Sequence, residues 1–130
     1  MALSTPRTII ATPNAPAAIG PYSQAVLAGD TLYCSGQIPL DPATGAIVTG
    51  TVEQETERVL DNLGAVLKAA GMDFANVVSC TVFLLTMSDY ATVNEVYARY
   101  FSEMPPARAA IAVAQLPRDV RVEIACIAVR

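Results

Sequence analysis

The chain has 130 residues, 53% of them apolar and only 15% charged, with a formal net charge of −4. That length fits one domain over residues 1–130, able to bury about two thirds of its unfolded surface, and so little charge leaves apolar area for contact with another subunit. The lack of histidine removes Cys-His and Ser-His nucleophiles and the common zinc sets, and an acidic balance with singly spaced arginines disfavours a nucleic-acid surface.

The N-terminal MALSTPRTII lacks the charged, long apolar and cleavage segments of a secretory signal. A cytoplasmic location is expected, and Arg7 among Ser4, Thr5 and Thr8 is the only feature in the direction of a mitochondrial transit peptide. No stretch approaches the ~20 apolar residues of a membrane span. A short strand is conceivable at 8–11, after which Pro13, Pro16 and Pro21 mark a loop. Strands are expected at 23–28 and 31–36, joined by a tight turn at Gly29-Asp30.

Pro39 and Pro42 flank a turn ending at Gly45. The apolar period then changes: Val52, Val59, Leu60, Leu63, Val66, Leu67 and Ala70 recur at helical spacing, with charge on the opposite face. A helix over 52–70 follows, opened by the capping-box pair Thr51 and Gln54 and closed by Gly71. Residues 77–86 read as a strand buried on both faces. A second helix is expected after a cap at Ser88 or Asp89, with Val93, Val96, Tyr97, Tyr100 and Phe101 as its apolar stripe. Strands at 108–114 and 121–129, joined through 117–119, complete an α/β (α+β) domain: one mixed sheet with both helices on one face and the other face bare. Cys34, Cys80 and Cys126 all fall in strand-like stretches. Their odd number argues against a disulfide framework and for small buried hydrophobes in a reducing compartment.

Arg108 and Glu123 are charges set within apolar strands, where an ionic group needs a partner or a job. They fit either an internal salt bridge or a small-anion site. If the last two strands paired as a hairpin, the two charges would lie ~20 Å apart at ~3.3 Å per residue. They could not then cooperate within one chain, and a neighbouring subunit would have to bring its Glu123 to this Arg108.

Three segments carry a resemblance: NAPAAIGPYSQ at 14–24, SGQIP at 35–39, and PARAAIAVAQLPRDVRVEIACIAV from Pro106. In family order and over nearly the whole chain, they resemble the RidA (YjgF) family of reactive intermediate deaminases. The resemblance implies a homotrimer of chorismate-mutase-like fold with sites at subunit interfaces. The implied activity is hydrolysis of 2-iminobutanoate and 2-iminopropanoate to 2-oxo acids and ammonia, disposing of by-products of pyridoxal-phosphate dehydratases, without metal or organic cofactor. By motif position, Arg108 is similar to the family's carboxylate clamp and Glu123 to the acid that activates water. Tyr22, Ser35, Gly36 and Asn94 correspond to pocket residues. Ala110 stands where many bacterial members have cysteine, at a position whose implied contact is through the backbone. Members of the same family have also been described as ribonucleases or translation inhibitors, a reading that the acidic charge and missing histidine oppose, and a chaperone-like binding protein using apolar trimer surfaces is a further alternative.

Overall fold

The computed structural model describes residues 6–48 and 50–130; Ser4 and Thr5 of the transit-peptide reading lie outside them. Strands β1 (Arg7–Ile10), β2 (Ala25–Ala28) and β3 (Thr31–Gln37) precede helix α1 (Val52–Ala69). Strand β4 (Val77–Leu84), helix α2 (Tyr90–Tyr100), β5 (Ala107–Ala112) and β6 (Val122–Val129) follow. The tight turn forms where two residues separate Ala28 from its partner Thr31, and Gly29 takes the positive φ of 60° that the turn requires. Thr51 and Gln54 close the capping box reciprocally, and Gly71 turns left-handed just past the end of α1. Asp89 precedes α2 without a side-chain cap bond; the hydroxyl of Thr86 instead caps a short 3-10 turn at Met87–Asp89.

The six strands form one sheet in the order β1-β2-β3-β6-β4-β5. This rules out the β5–β6 hairpin supposed for the distance between Arg108 and Glu123. β6 runs antiparallel between β3 and β4, and β5 lies parallel to β4 at the sheet edge. The segment from 113 to 121 therefore crosses over β4 and does not turn back on itself. A parallel strand has to be reached by a crossover, and α2 supplies one between β4 and β5.

Both helices cover one face. Val59, Leu60, Leu63, Val66 and Leu67 of α1 and Val93 and Val96 of α2 pack onto Leu32, Val82, Leu84, Val122 and Ile124. Cys34, Cys126 and Cys80 sit side by side across β3, β6 and β4 within this core, all free thiols. The other face carries Tyr33, Phe83, Ile111, Ala125 and Ile127, and neither helix nor any other element among the described residues covers it; Tyr33 is 51% and Ile111 46% exposed. β4 is accordingly buried on alternate residues and not on both faces as expected. The continuous apolar run that suggested double burial is half core and half open face.

Candidate active site

Glu123 points to the open face because it alternates with Val122 and Ile124, which are fully buried against the helices. Beside it, β3 is bulged: Cys34 opposes Cys126 and Gln37 opposes Ile124, so two residues, Ser35 and Gly36, face one on β6. A bulge re-aims side chains and is common next to active sites. Here it puts two successive residues on the open face, and Gly36 leaves the space that Glu123 fills. A Cβ on Gly36 would run into the Glu123 carboxylate, with Cδ at 2.9 Å and Cγ at 3.1 Å. The carboxylate has no hydrogen bond or ion pair among the described residues. Partial burial raises its pKa above the ordinary carboxylate value, because the charged form loses water without gaining a partner.

A cleft of about 470 Å³ opens over this carboxylate, with Tyr22, Ser35, Gly36, Ile38, Leu40 and Arg118 among its walls. Ser35 is fixed by its Oγ donating to the Ser23 carbonyl at 2.6 Å and by its N–H donating to the Gln24 carbonyl at 3.0 Å. Gln24 is buried and ties down the loop that carries Tyr22: its Oε1 accepts from Thr12 N at 2.7 Å, and its Nε2 donates to the Pro16 carbonyl at 2.8 Å. On the far wall the fully buried Asn62 of α1 donates to the carbonyls of Ile38 and Leu40 at 3.3 and 3.0 Å. Arg118 and Asp119 both have left-handed φ, 55° and 58°, at the cleft's edge, a strained turn of the kind that persists where surroundings enforce it.

Arg108 lies elsewhere. Its parallel partner is Cys80, a core residue, so its side chain leaves the sheet on the helix side. There Nη1 donates to Asn94 Oδ1 at 2.8 Å and Nη2 to the Tyr90 hydroxyl at 2.7 Å. The guanidinium carbon sits 4.8 Å from the centre of the Tyr97 ring and 5.5 Å from that of Tyr90. The buried Tyr97 hydroxyl rests against the Cys80 thiol without a hydrogen bond of normal geometry, and burial raises the pKa of both groups. Ala110, half-buried, follows Arg108 on the same side of β5. No carboxylate pairs with Arg108 among the described residues.

The residues singled out in the sequence thus form two groups. Tyr22, Ser35, Gly36 and Glu123 share the cleft; Arg108, Asn94 and Ala110 share the end of the sheet under α2. Arg108 is level with Cys80 and Glu123 with Phe83 along β4. The offset is about 10 Å along the strand and about 10 Å across two strand spacings, or ~14 Å in all. They also face opposite sides. The expected conclusion that they do not cooperate within one chain holds, but the distance is shorter than the hairpin gave and the opposed faces are the stronger reason. Sequence reading missed Tyr90, although its four-residue spacing from Asn94 puts both on one helix face. It also missed Gln24 and Asn62, whose roles depend on contacts across the chain.

Residues 12–130 match the family model described as Endoribonuclease L-PSP. The chain belongs to that family. Its relatives include the Bos taurus 2-iminobutanoate/2-iminopropanoate deaminase, 56% identical over 95% of this chain and 90% of the relative. Among solved structures, RidA from the Antarctic bacterium Psychrobacter sp. superposes with a TM-score of 0.91 at 44% identity, covering 95% of this chain and 99% of that one. TdcF from E. coli with bound serine gives the same TM-score at 43% identity, with 95% and 98% covered. The RidA (YjgF) resemblance read from the three motifs is therefore the family of this chain, and the family's fold is the mixed α+β domain described above. Among the described residues no helix is long and apolar enough to cross a membrane.

Proposed function

We propose that this family member hydrolyses 2-imino acids, 2-iminobutanoate and 2-iminopropanoate among them, to 2-oxo acids and ammonia, at sites built between subunits of a homotrimer. The observation that carries the reading is the division of the site. Among the described residues, the edge strand of the sheet offers a cation with no acid partner, and one cleft offers a carboxylate with no cation partner. They meet only if the partner subunit's Arg108 is brought to the mouth of this subunit's Glu123 cleft. The uncovered apolar sheet face supports such an assembly, and a chorismate-mutase-like trimer would bury it.

In this arrangement Arg108 holds the substrate carboxylate with two parallel donors, and the C=N carbon lies over Ser35, Gly36 and Glu123. The small apolar wall from Ile38 and Leu40 takes the ethyl or methyl group. Glu123 accepts a proton from water as the water oxygen bonds to the imine carbon and the C=N pair moves to nitrogen. The proton then passes to nitrogen, the C–N bond breaks with its electrons leaving as ammonia, and the oxygen's remaining proton is shed as C=O forms. The iminium carbon is already electrophilic, so positioning and a base of raised pKa supply most of what the step needs. Serine bound to the TdcF relative carries the same α-carboxylate and a nitrogen at the same carbon, in line with this substrate class. The ribonuclease reading finds little support in the cleft: a carboxylate, which repels a phosphate backbone, lies at its floor, and Arg118 is the single cation among its walls.

The test is subunit complementation. Arg108→Ala and Glu123→Gln homo-oligomers should each be inactive toward 2-iminobutanoate generated by a dehydratase. Randomly mixed oligomers should recover about a quarter of wild-type activity, the share of interfaces that pair an intact Arg108 with an intact Glu123. No recovery in verified mixtures would sink the shared site, and full activity in either homo-oligomer would sink the residue roles.

A further inference from the structure

Arg108 has a long, rotamer-rich side chain, and an unrestrained guanidinium would lose rotamer freedom on engaging a ligand. In this chain that ordering is already done. Tyr90, Asn94 and Tyr97 project from one face of α2, and each restrains the guanidinium differently. Asn94 fixes Nη1, the Tyr90 hydroxyl fixes Nη2, and the Tyr97 ring lies beneath the plane. Both hydrogen-bond acceptors are neutral. A carboxylate in either place would cancel the charge that a substrate carboxylate must find, whereas an amide and a phenol orient the cation and leave its charge available. Two of the five guanidinium N–H groups are engaged, so three remain for a ligand.

We propose that Tyr90 is a positioning residue for substrate binding: its hydroxyl sets the roll of the Arg108 guanidinium and so preorganises the clamp for the substrate carboxylate. The proposal rests on Arg108 being that clamp. Tyr90 is chosen over Asn94 because its hydroxyl can be removed alone. Tyr90→Phe keeps the ring that packs 5.5 Å from the guanidinium carbon and deletes a single acceptor.

Tyr90→Phe should raise KM for 2-iminobutanoate about tenfold with kcat within about twofold, the effect of losing one hydrogen bond to a charged group near the surface. Inhibition separates the carboxylate contact from general damage. Ki for the product 2-oxobutanoate should rise by the same factor as KM, while Ki for 2-oxobutanamide, which has no carboxylate, stays unchanged, and Tm stays within about 2 °C. Equal weakening of both inhibitors, or an unchanged Ki for 2-oxobutanoate in a Tyr90→Phe protein beside an Arg108→Ala protein that no longer binds it, overturns the role of Tyr90. If Arg108→Ala itself leaves Ki for 2-oxobutanoate unchanged, the clamp reading falls and this proposal falls with it.

Discussion

Gly36→Ala is the substitution on which the site's geometry can be tested most sharply. The added Cβ would lie 2.9 Å from Glu123 Cδ and 3.1 Å from Cγ, where ordinary contact begins at 3.4 Å. One carboxylate oxygen of Glu123 would overlap the added Cβ outright, so the carboxyl group must retreat by about an ångström. Gly36 has no positive φ, so alanine meets no backbone penalty, and the group that yields is the end of a side chain bordering an open cleft. Overpacking of that kind costs about 1 kcal/mol, and the lower entropy of the unfolded chain returns about 0.4 to 1 kcal/mol. Stability should therefore change by less than about 1 kcal/mol, a Tm shift under ~4 °C for a domain of this size. Activity should not escape: displacing a catalytic group by 0.5 to 1 Å costs roughly 10- to 100-fold, about 1.4 to 2.8 kcal/mol of transition-state stabilisation. A double-mutant cycle on kcat/KM decides whether the loss runs through Glu123. In a Glu123→Ala background, adding Gly36→Ala should cost nothing further, so the coupling energy equals the whole single-mutant effect. Wild-type kcat/KM in Gly36→Ala, or full additivity in the cycle, would refute the placement of Glu123 over Gly36 as the reacting group.

Three further predictions come from Glu123 itself and from Glu55. Because burial raises the folded-state pKa of Glu123, its ionised form costs stability above that pKa, and the cost vanishes once both folded and unfolded states are protonated. Glu123→Gln should therefore raise Tm at pH 7 to 8, with the difference closing as the pH falls to the ordinary glutamate range; a gain that is constant with pH would contradict the assignment. The acid limb of the wild-type rate should likewise fall above the ordinary carboxylate range, since the base must be ionised. Glu55 is 5% exposed and pairs with the Arg121 guanidinium while accepting from Arg121 N at 3.0 Å, fixing the chain where β6 begins. Glu55→Ala should cost about 2 to 3 kcal/mol by thermal or urea unfolding, the partial exposure of Arg121 keeping it below the range for wholly buried pairs.

Local signals in the sequence carried most of the elements. The Gly29-Asp30 turn, the Thr51/Gln54 capping box, the Gly71 terminus and the helical period from Val52 are each decided within a few residues, so they were legible without the fold. The catalytic candidates were legible for a related reason: a charge in an apolar strand stands out locally, and the three family motifs span the cleft and the clamp. Strand order was not legible. Whether β6 pairs with β5 or inserts between β3 and β4 depends on contacts far apart in sequence, and the short 117–119 loop favoured the wrong neighbour.

Alternation told correctly that Glu123 shares a face with Ala125 and Ile127, and that Arg108 shares one with Ala110, because side-chain direction within a strand is a two-residue property. It could not tell that these are opposite faces, since that depends on how β5 and β6 are joined through β4. The tertiary structure alone supplied the bulge that places Ser35 and Gly36 together, the Gln24 and Asn62 anchors of the cleft walls, and the Tyr90 contact to Arg108. Each joins residues distant along the chain, and such pairings are fixed by packing, not by local propensity. The sequence picked out the groups proposed to carry the chemistry, and the fold decided that a single chain holds them apart.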